Sequence, residues 1–288
     1  MALSGPAKPS HLRVMLPDMS LSSVSPDSQL LISSRPEPGV AVVALNQPQH
    51  RNALTPELAT ALREEVARLA ADASVRAVVI TGTGVAFCAG ADLGSLGSDA
   101  PTAAAKKQVL SDYYRAFLDL KALPLPTIAA VNGPAIGAGL NVALCCDLRV
   151  LADDARLAAP FVRLGIHPGG GATWMLTRLA GTAACRELLL LGQPIDAQRA
   201  LQLGLANRVV PADQLQEAAL EWARALAALP RPVMVKLKQS LQMAETGASL
   251  DAVLAWETAA QAESLASEDA REGWSALRER RAPQFHDR

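Results

Sequence analysis

The chain has 288 residues, enough to bury a sizeable core as one large domain with an appendage. Its 27 Lys and Arg stand against 28 Asp and Glu. No global field therefore exists to hold nucleic acid or an anionic membrane, and any anion must be bound at a local site. Half of the residues are apolar, yet no uninterrupted apolar run approaches the roughly 20 residues of a bilayer span, so a soluble, cytoplasmic protein is expected.

Residues 1–28 are rich in Ser and Pro, lack an apolar stretch of signal-peptide length and hold only Lys8 and Arg13 as basic residues, which reads as a tail. Residues 29–33 and 40–45 read as strands about a turn with Pro36, Pro38 and Gly39, a hairpin pattern. Thr55 followed by Pro56 is a helix-start signature, and apolar spacing continues to Leu69. Residues 76–81 form a short β-branched run ending at Gly82, and residues 102–122 read as a helix. The rhythm returns in strand 127–131, helix 140–146 and strand 148–151. Repeated βαβ steps predict a layered α/β domain with right-handed crossovers. From 182 onward the pattern turns helical, with helices at 213–229 and 232–244 separated by Pro230-Arg231-Pro232, and a last helical stretch over 250–281. The expected organisation is a tail (1–28), an α/β core (29–215) and a helical C-terminal region (216–288). Cys88, Cys145, Cys146 and Cys185 form no CxxC pair and lie in apolar surroundings, so they read as small core residues in a reducing compartment, with neither disulfide framework nor zinc site.

Ligands of open α/β sheets bind where strand ends and helix starts converge. Two such junctions stand out, Ala-Phe-Cys-Ala-Gly-Ala-Asp-Leu at 86–93 and Asn-Gly-Pro-Ala-Ile-Gly-Ala-Gly at 132–139. Small residues let a ligand approach the backbone N–H groups, and the second loop opens a helix whose dipole favours negative charge. Two converging N–H donors make an oxyanion hole, worth about 2.7–4 kcal/mol per donor in studied enzymes. These are the parts needed to stabilise a thioester enolate.

With these loops the chain resembles the crotonase (enoyl-CoA hydratase/isomerase) superfamily. Residues 46–54 are similar to its CoA-contacting segment, 87–93 to its first oxyanion loop and 132–139 to its second; 196–207 and Arg280-Arg281 with Phe285 match further signatures. The matches run in order over 29–288. The resemblance implies a ββα spiral core with a helical C-terminal trimerisation region, assembled as a homotrimer or a hexamer of two trimers. It implies thioester-oxygen donors at the N–H groups of Ala91 and Ala138, and a CoA path along Arg51, Ala89, Ala91 and Leu93. It also implies a phosphate contact from Arg280 of a neighbouring subunit, and no cofactor beyond the CoA thioester itself.

Two glutamates serve hydratases of that family, and the matching positions are Asn141 and Phe161; a third acid position, used by dienoyl-CoA isomerases, is Gly169. None exchanges a proton, so two-glutamate hydration is not expected. Phe161 would exclude water and Asn141 would orient substrate by hydrogen bonds. His167, in the Gly-Ile-His-Pro-Gly-Gly-Gly run at 165–171, is the remaining candidate base, with a loop-orienting histidine as the alternative. Tyr113 and Tyr114, at helical positions, read as core. Two functions stay open: an acyl-CoA enzyme working through an enolate, and a non-catalytic acyl-CoA carrier or sensor. No GxSxG supports a serine hydrolase, and no GxGxxG opens a helix after the first strand.

Overall fold

The structure, a computed structural model, describes residues 29–92 and 100–287. The expected tail, 1–28, and the candidate Leu93 lie outside the described residues.

The chain opens with an antiparallel hairpin of β1 (Leu31–Glu37) and β2 (Val40–Leu45), turning at Gly39 with φ +77°. β1 runs through Pro36, which the sequence pattern placed in the turn, and the register shifts between Ser34 and Glu37. Proline has no N–H for the ladder, and such a residue is tolerated because β1 is the sheet edge. Helix α1 (Pro56–Ala71) starts as expected: Thr55 Oγ1 accepts from the Leu58 N–H at 3.2 Å, and Leu58, Ala59, Leu62, Val66 and Leu69 form its buried stripe.

The remaining elements follow in order: β3 (Ala77–Gly82), α2 (Ala103–Ala122), β4 (Thr127–Val131), β5 (Ala135–Ile136), α3 (Ala138–Cys145), β6 (Leu148–Ala152) and β7 (Arg156–Ala158). Then come α4 (Ala172–Leu191), β8 (Ile195–Asp196), α5 (Ala197–Gln202), β9 (Arg208–Val210), α6 (Leu215–Ala227), α7 (Arg231–Glu245), α8 (Leu250–Leu265) and α9 (Glu268–Glu279). The main sheet has the order β1-β2-β3-β4-β6-β9, parallel from β2 onward, so each βα step lays its strand beside the one before and the chain spirals. A small second sheet has the order β5-β7-β8. β4 is wholly buried and β2, β3 and β6 nearly so, which is why they read as continuous apolar runs.

Helix α6 buries Leu215, Ala218, Ala219, Leu220, Ala223 and Ala227 and packs on β3, β4 and β6, so it belongs to the core layer. α7 is tied to that layer by Lys238, 7 % exposed, which donates to Leu125 O at 2.9 Å and to Asp147 Oδ2 at 2.7 Å. Asp147, at the turn from α3 into β6, also accepts from the Thr127 N–H and hydroxyl, each at 2.8 Å. α8 has no buried residue.

Two helical expectations change. α4 begins at Ala172, not 182, and is interrupted at Gly181, whose φ of +78° and ψ of 167° leave the helical region. The stretch 250–281 divides into α8 and α9, because Ser267 Oγ accepts from the Ala270 N–H at 3.0 Å with Glu268 and Asp269 in the first turn, a full helix start. Among the described residues no helix is long and apolar enough to cross a membrane.

Candidate active site

Strands β3 and β4 are parallel neighbours, so the loops leaving their C-terminal ends lie side by side. A third loop, 46–54, locks onto the first of them through Asn52. Its side chain is fully buried and accepts from the Gln47 N–H at 2.8 Å, while its Nδ2 donates to Thr83 O at 2.9 Å and Ala86 O at 2.8 Å. Arg51 and Asn52 both adopt positive φ, +51° and +54°. The turn they make lets the Ala89 N–H reach Arg51 O at 2.9 Å.

Leu54 then forms a parallel bridge with Ala91. That bridge is made by the Leu54 N–H on Gly90 O (2.7 Å) and the Asp92 N–H on Leu54 O (3.3 Å). Ala91 supplies neither bond, so its own N–H points out of the ladder. Beside it, the Cys88 N–H bonds Pro134 O (3.1 Å) and the Ile136 N–H bonds Cys88 O (3.0 Å); the Gly137 N–H bonds Ala158 O (2.8 Å). Ala138 comes next as the first residue of α3, and its N–H is one of the donors a helix start leaves unspent. Among the described residues neither the Ala91 nor the Ala138 N–H has a partner.

The two donors are brought together by glycine. A Cβ on Gly90, whose φ is +105°, would lie 2.8 Å from Ile136 O and 3.8 Å from Ala138 N. A Cβ on Gly139 would lie 2.2 Å from Cys88 O. Cys88 itself is buried beneath, and burial pushes its thiol up to about 12, so it stays protonated and apolar. All four cysteines are free and buried.

Around this pair the structure places Asn141, Phe161 and the 165–171 run. Asn141, one turn along α3 and 2 % exposed, donates through Nδ2 to Gly169 O at 2.9 Å. Phe161, half-buried, has ring atoms 3.9 Å from where a Gly137 Cβ would stand, so it borders the second loop. A Cβ at Gly169 would fall 2.0 Å from Tyr114 Oη, which accounts for the absence of an acid there. Tyr114 is only half-buried; its neighbour Tyr113 is core, with its hydroxyl on Leu54 O at 3.0 Å. Burial raises both phenols above the ordinary tyrosine value, Tyr113 further, with charge on Asp92 adding to it.

His167 is exposed, and its Nδ1 lies 2.7 Å from Pro168 O. A carbonyl only accepts, so Nδ1 carries the proton and Nε2 the lone pair of the neutral ring. Arg51 is exposed, and Arg280 ends α9 at φ +55°; neither guanidinium has a partner among the described residues, whereas Arg281 is held by Glu272 and Glu279. Asn52 is the residue that sequence reasoning passed over, unmarked within the 46–54 match. Tyr114, read from the sequence as core, is half-buried with its hydroxyl against Gly169.

A sequentially wound parallel sheet that offers two unspent N–H donors at adjoining strand ends is the scaffold of an acyl-thioester enzyme of crotonase fold. Among solved structures, the enoyl-CoA hydratase of Bacillus anthracis matches with a TM-score of 0.85 and 31 % identity, covering 90 % of this chain and 100 % of its own. The family described as enoyl-CoA hydratase/isomerase matches residues 35–288. A probable enoyl-CoA hydratase of Mycobacterium tuberculosis, EchA14, is 46 % identical over 212 residues, 74 % of this chain and 81 % of its own. A putative enoyl-CoA hydratase of Thermus thermophilus is 40 % identical over 250 residues, 85 % and 97 % of the two chains. The chain belongs to the enoyl-CoA hydratase/isomerase family and is an enzyme acting on acyl-CoA thioesters. These relatives do not favour the non-catalytic carrier.

Proposed function

We propose that the thioester oxygen of an acyl- or enoyl-CoA sits between the N–H groups of Ala91 and Ala138, which stabilise the enolate formed when a proton leaves the neighbouring carbon. The observation that carries this reading is the pair of N–H groups, unpartnered among the described residues, on loops held in contact through Gly90. Each such donor contributes about 2.7–4 kcal/mol to oxyanion stabilisation where it has been measured. No cofactor beyond the thioester is required, because enolate formation moves only a proton. CoA runs along Arg51, Ala89, Ala91 and Leu93, with Arg280 of a neighbouring subunit on its phosphates.

With Asn, Phe and Gly at the three acid positions, two-carboxylate hydration is not the reaction proposed. His167 is proposed as the proton carrier: the Nδ1–H bond to Pro168 O leaves Nε2 as the acceptor, and its exposure allows exchange with solvent. The setting is cytoplasmic acyl-CoA metabolism, fatty-acid or related.

The test is calorimetric binding of crotonyl-CoA and a long-chain acyl-CoA, with mass spectrometry and chromatography of the thioester over hours. Turnover to an isomer or adduct is expected, and His167→Ala should abolish it while binding persists. Equal turnover in that variant returns His167 to orienting the glycine turn, and absence of binding overturns the reading.

A further inference from the structure

We infer that residues 281–287 form a strap that fixes the direction of Arg280, with Asp287 as its latch and Arg281 as the group that keeps Arg280 available to an anion. This rests on the reading that places Arg280 on the phosphates of a CoA thioester. Asp287 and Arg281 are positioning residues in this account, since both act through Arg280.

The starting observation is the backbone at Arg280. It closes α9 at φ +55° and ψ 39°, with its own N–H directed to Leu277 O (3.4 Å) and the Arg281 N–H on Ala276 O (3.1 Å). Such left-handed helix endings are usually made by glycine and sometimes by asparagine, because a Cβ is crowded there. A long cationic side chain persists in that conformation only where its surroundings over-determine it, and residues of this kind gather where the fixed direction is used.

The strap supplies that fixing. After Arg280 the chain reverses and runs back along α9. Arg281 donates to Glu272 through both terminal nitrogens (2.5 and 2.8 Å) and to Glu279 Oε2 through Nε (2.7 Å). The Gln284 N–H donates to Glu272 Oε1 (2.8 Å), the Phe285 ring lies 3.7 Å from where a Gly273 Cβ would stand, and the His286 N–H donates to Asp269 Oδ1 (2.7 Å). Asp287 then leaves α9 for the core. Its Oδ1 accepts from the Arg231 N–H at the start of α7 (2.8 Å), and its Oδ2 pairs with Arg76, which directly precedes β3 and also donates to Leu229 O (3.0 Å).

The same contacts leave Arg280 its charge. Glu272 and Glu279 are both engaged by Arg281, and the exposed Arg280 guanidinium has no partner among the described residues. A guanidinium so placed suits phosphate oxygens. With the latch open, the cost of ordering Arg280 falls on the ligand that binds it.

The experiment is calorimetry of the full chain with crotonyl-CoA and with crotonyl-pantetheine, which has the thioester and lacks the phosphates, alongside sedimentation equilibrium. Asp287→Gly tolerates the positive φ at that position and removes the latch. It should weaken crotonyl-CoA binding about fivefold and leave crotonyl-pantetheine binding unchanged. On an Arg280→Ala background the same substitution should add nothing, because the strap works through Arg280. Glu272→Gln, a milder variant that weakens the hold on Arg281, should give the same pattern. An equal loss for both ligands, a loss that adds to that of Arg280→Ala, no loss in either variant, or a loss that comes only with dissociation of the assembly overturns the strap and leaves the phosphate contact standing. If Arg280→Ala alone binds crotonyl-CoA as tightly as the unaltered chain, the phosphate reading falls and this inference with it.

Discussion

Asn52 makes three side-chain hydrogen bonds that tie the 46–54 loop to the loop after β3, at a backbone angle that side chains other than Asn and Gly rarely adopt. Asn52→Ala would strand the Gln47 N–H and the Thr83 and Ala86 carbonyls, each costing about 1–3 kcal/mol if buried and unpaired. The expected result is a loss on the order of 3 kcal/mol in urea unfolding, with acyl-CoA binding lost in the folded fraction. Asn52→Gly, which relieves the angle and not the bonds, should recover only part of it. Unchanged stability in both variants would show that the loops hold without the clasp. The donor loops were legible in sequence, because small residues directly after apolar strands announce close backbone approach. Asn52 was not, since its partners lie 5, 31 and 34 positions away and only the folded loops bring them in range. Tyr114 shared helical spacing with the core residues Tyr113 and Phe117, and only packing separates the hydroxyl that faces Gly169 from the one that faces Leu54.

Elements with strong local signals came through: the hairpin, the capped α1, and the apolar parallel strands. β5, β7 and β8 span two or three residues each, too few to show any periodicity, and they exist because the second loop and the return from β6 run alongside each other. Helix α9 carries the clearest electrostatic tie. Glu272 accepts from Arg281 at 2.5 and 2.8 Å and from the Gln284 N–H at 2.8 Å, and these bonds, Arg281 first, hold its carboxyl down to about 2 from an ordinary 4.5. The folded value lies below the unfolded one, so the contribution is complete above the ordinary value and disappears as pH falls through the folded one. Amides of the last turn of α9 should therefore exchange faster as pH is lowered from 4.5 toward 2, after correction for intrinsic rates. Glu272→Gln should already exchange fast at neutral pH and show no further change across that window. Identical protection in both proteins throughout would mean the tie holds nothing.

The molecule as a whole presents a closed core and an open-faced arm. Leu250 is 79 % exposed, Leu277 78 % and Trp274 52 %, and Val233, Leu237, Leu265 and Trp274 border a groove of about 580 Å³ between α7, α8 and α9. Large apolar side chains exposed on three neighbouring helices are the pattern of an association surface. A homotrimer, or a hexamer of two trimers, is the expected state in sedimentation equilibrium. Leu277→Glu should shift it toward monomer and, if Arg280 acts across subunits, weaken CoA-thioester binding with the fold retained by circular dichroism. A monomeric unaltered chain would remove the shared phosphate contact. The strand order has one more consequence, for synthesis. β1 to β4 pair in the order in which they are made, and β6 and then β9 extend the same sheet in turn. The sheet is therefore able to grow strand by strand while the ribosome is still elongating the chain, each addition needing only the strand before it and the helix between. Leu54 and Ala91 come together early in that sequence; the partner donor at Ala138 arrives only after β4 has docked, and α7 to α9 emerge last, onto a core whose far edge β9 has already joined.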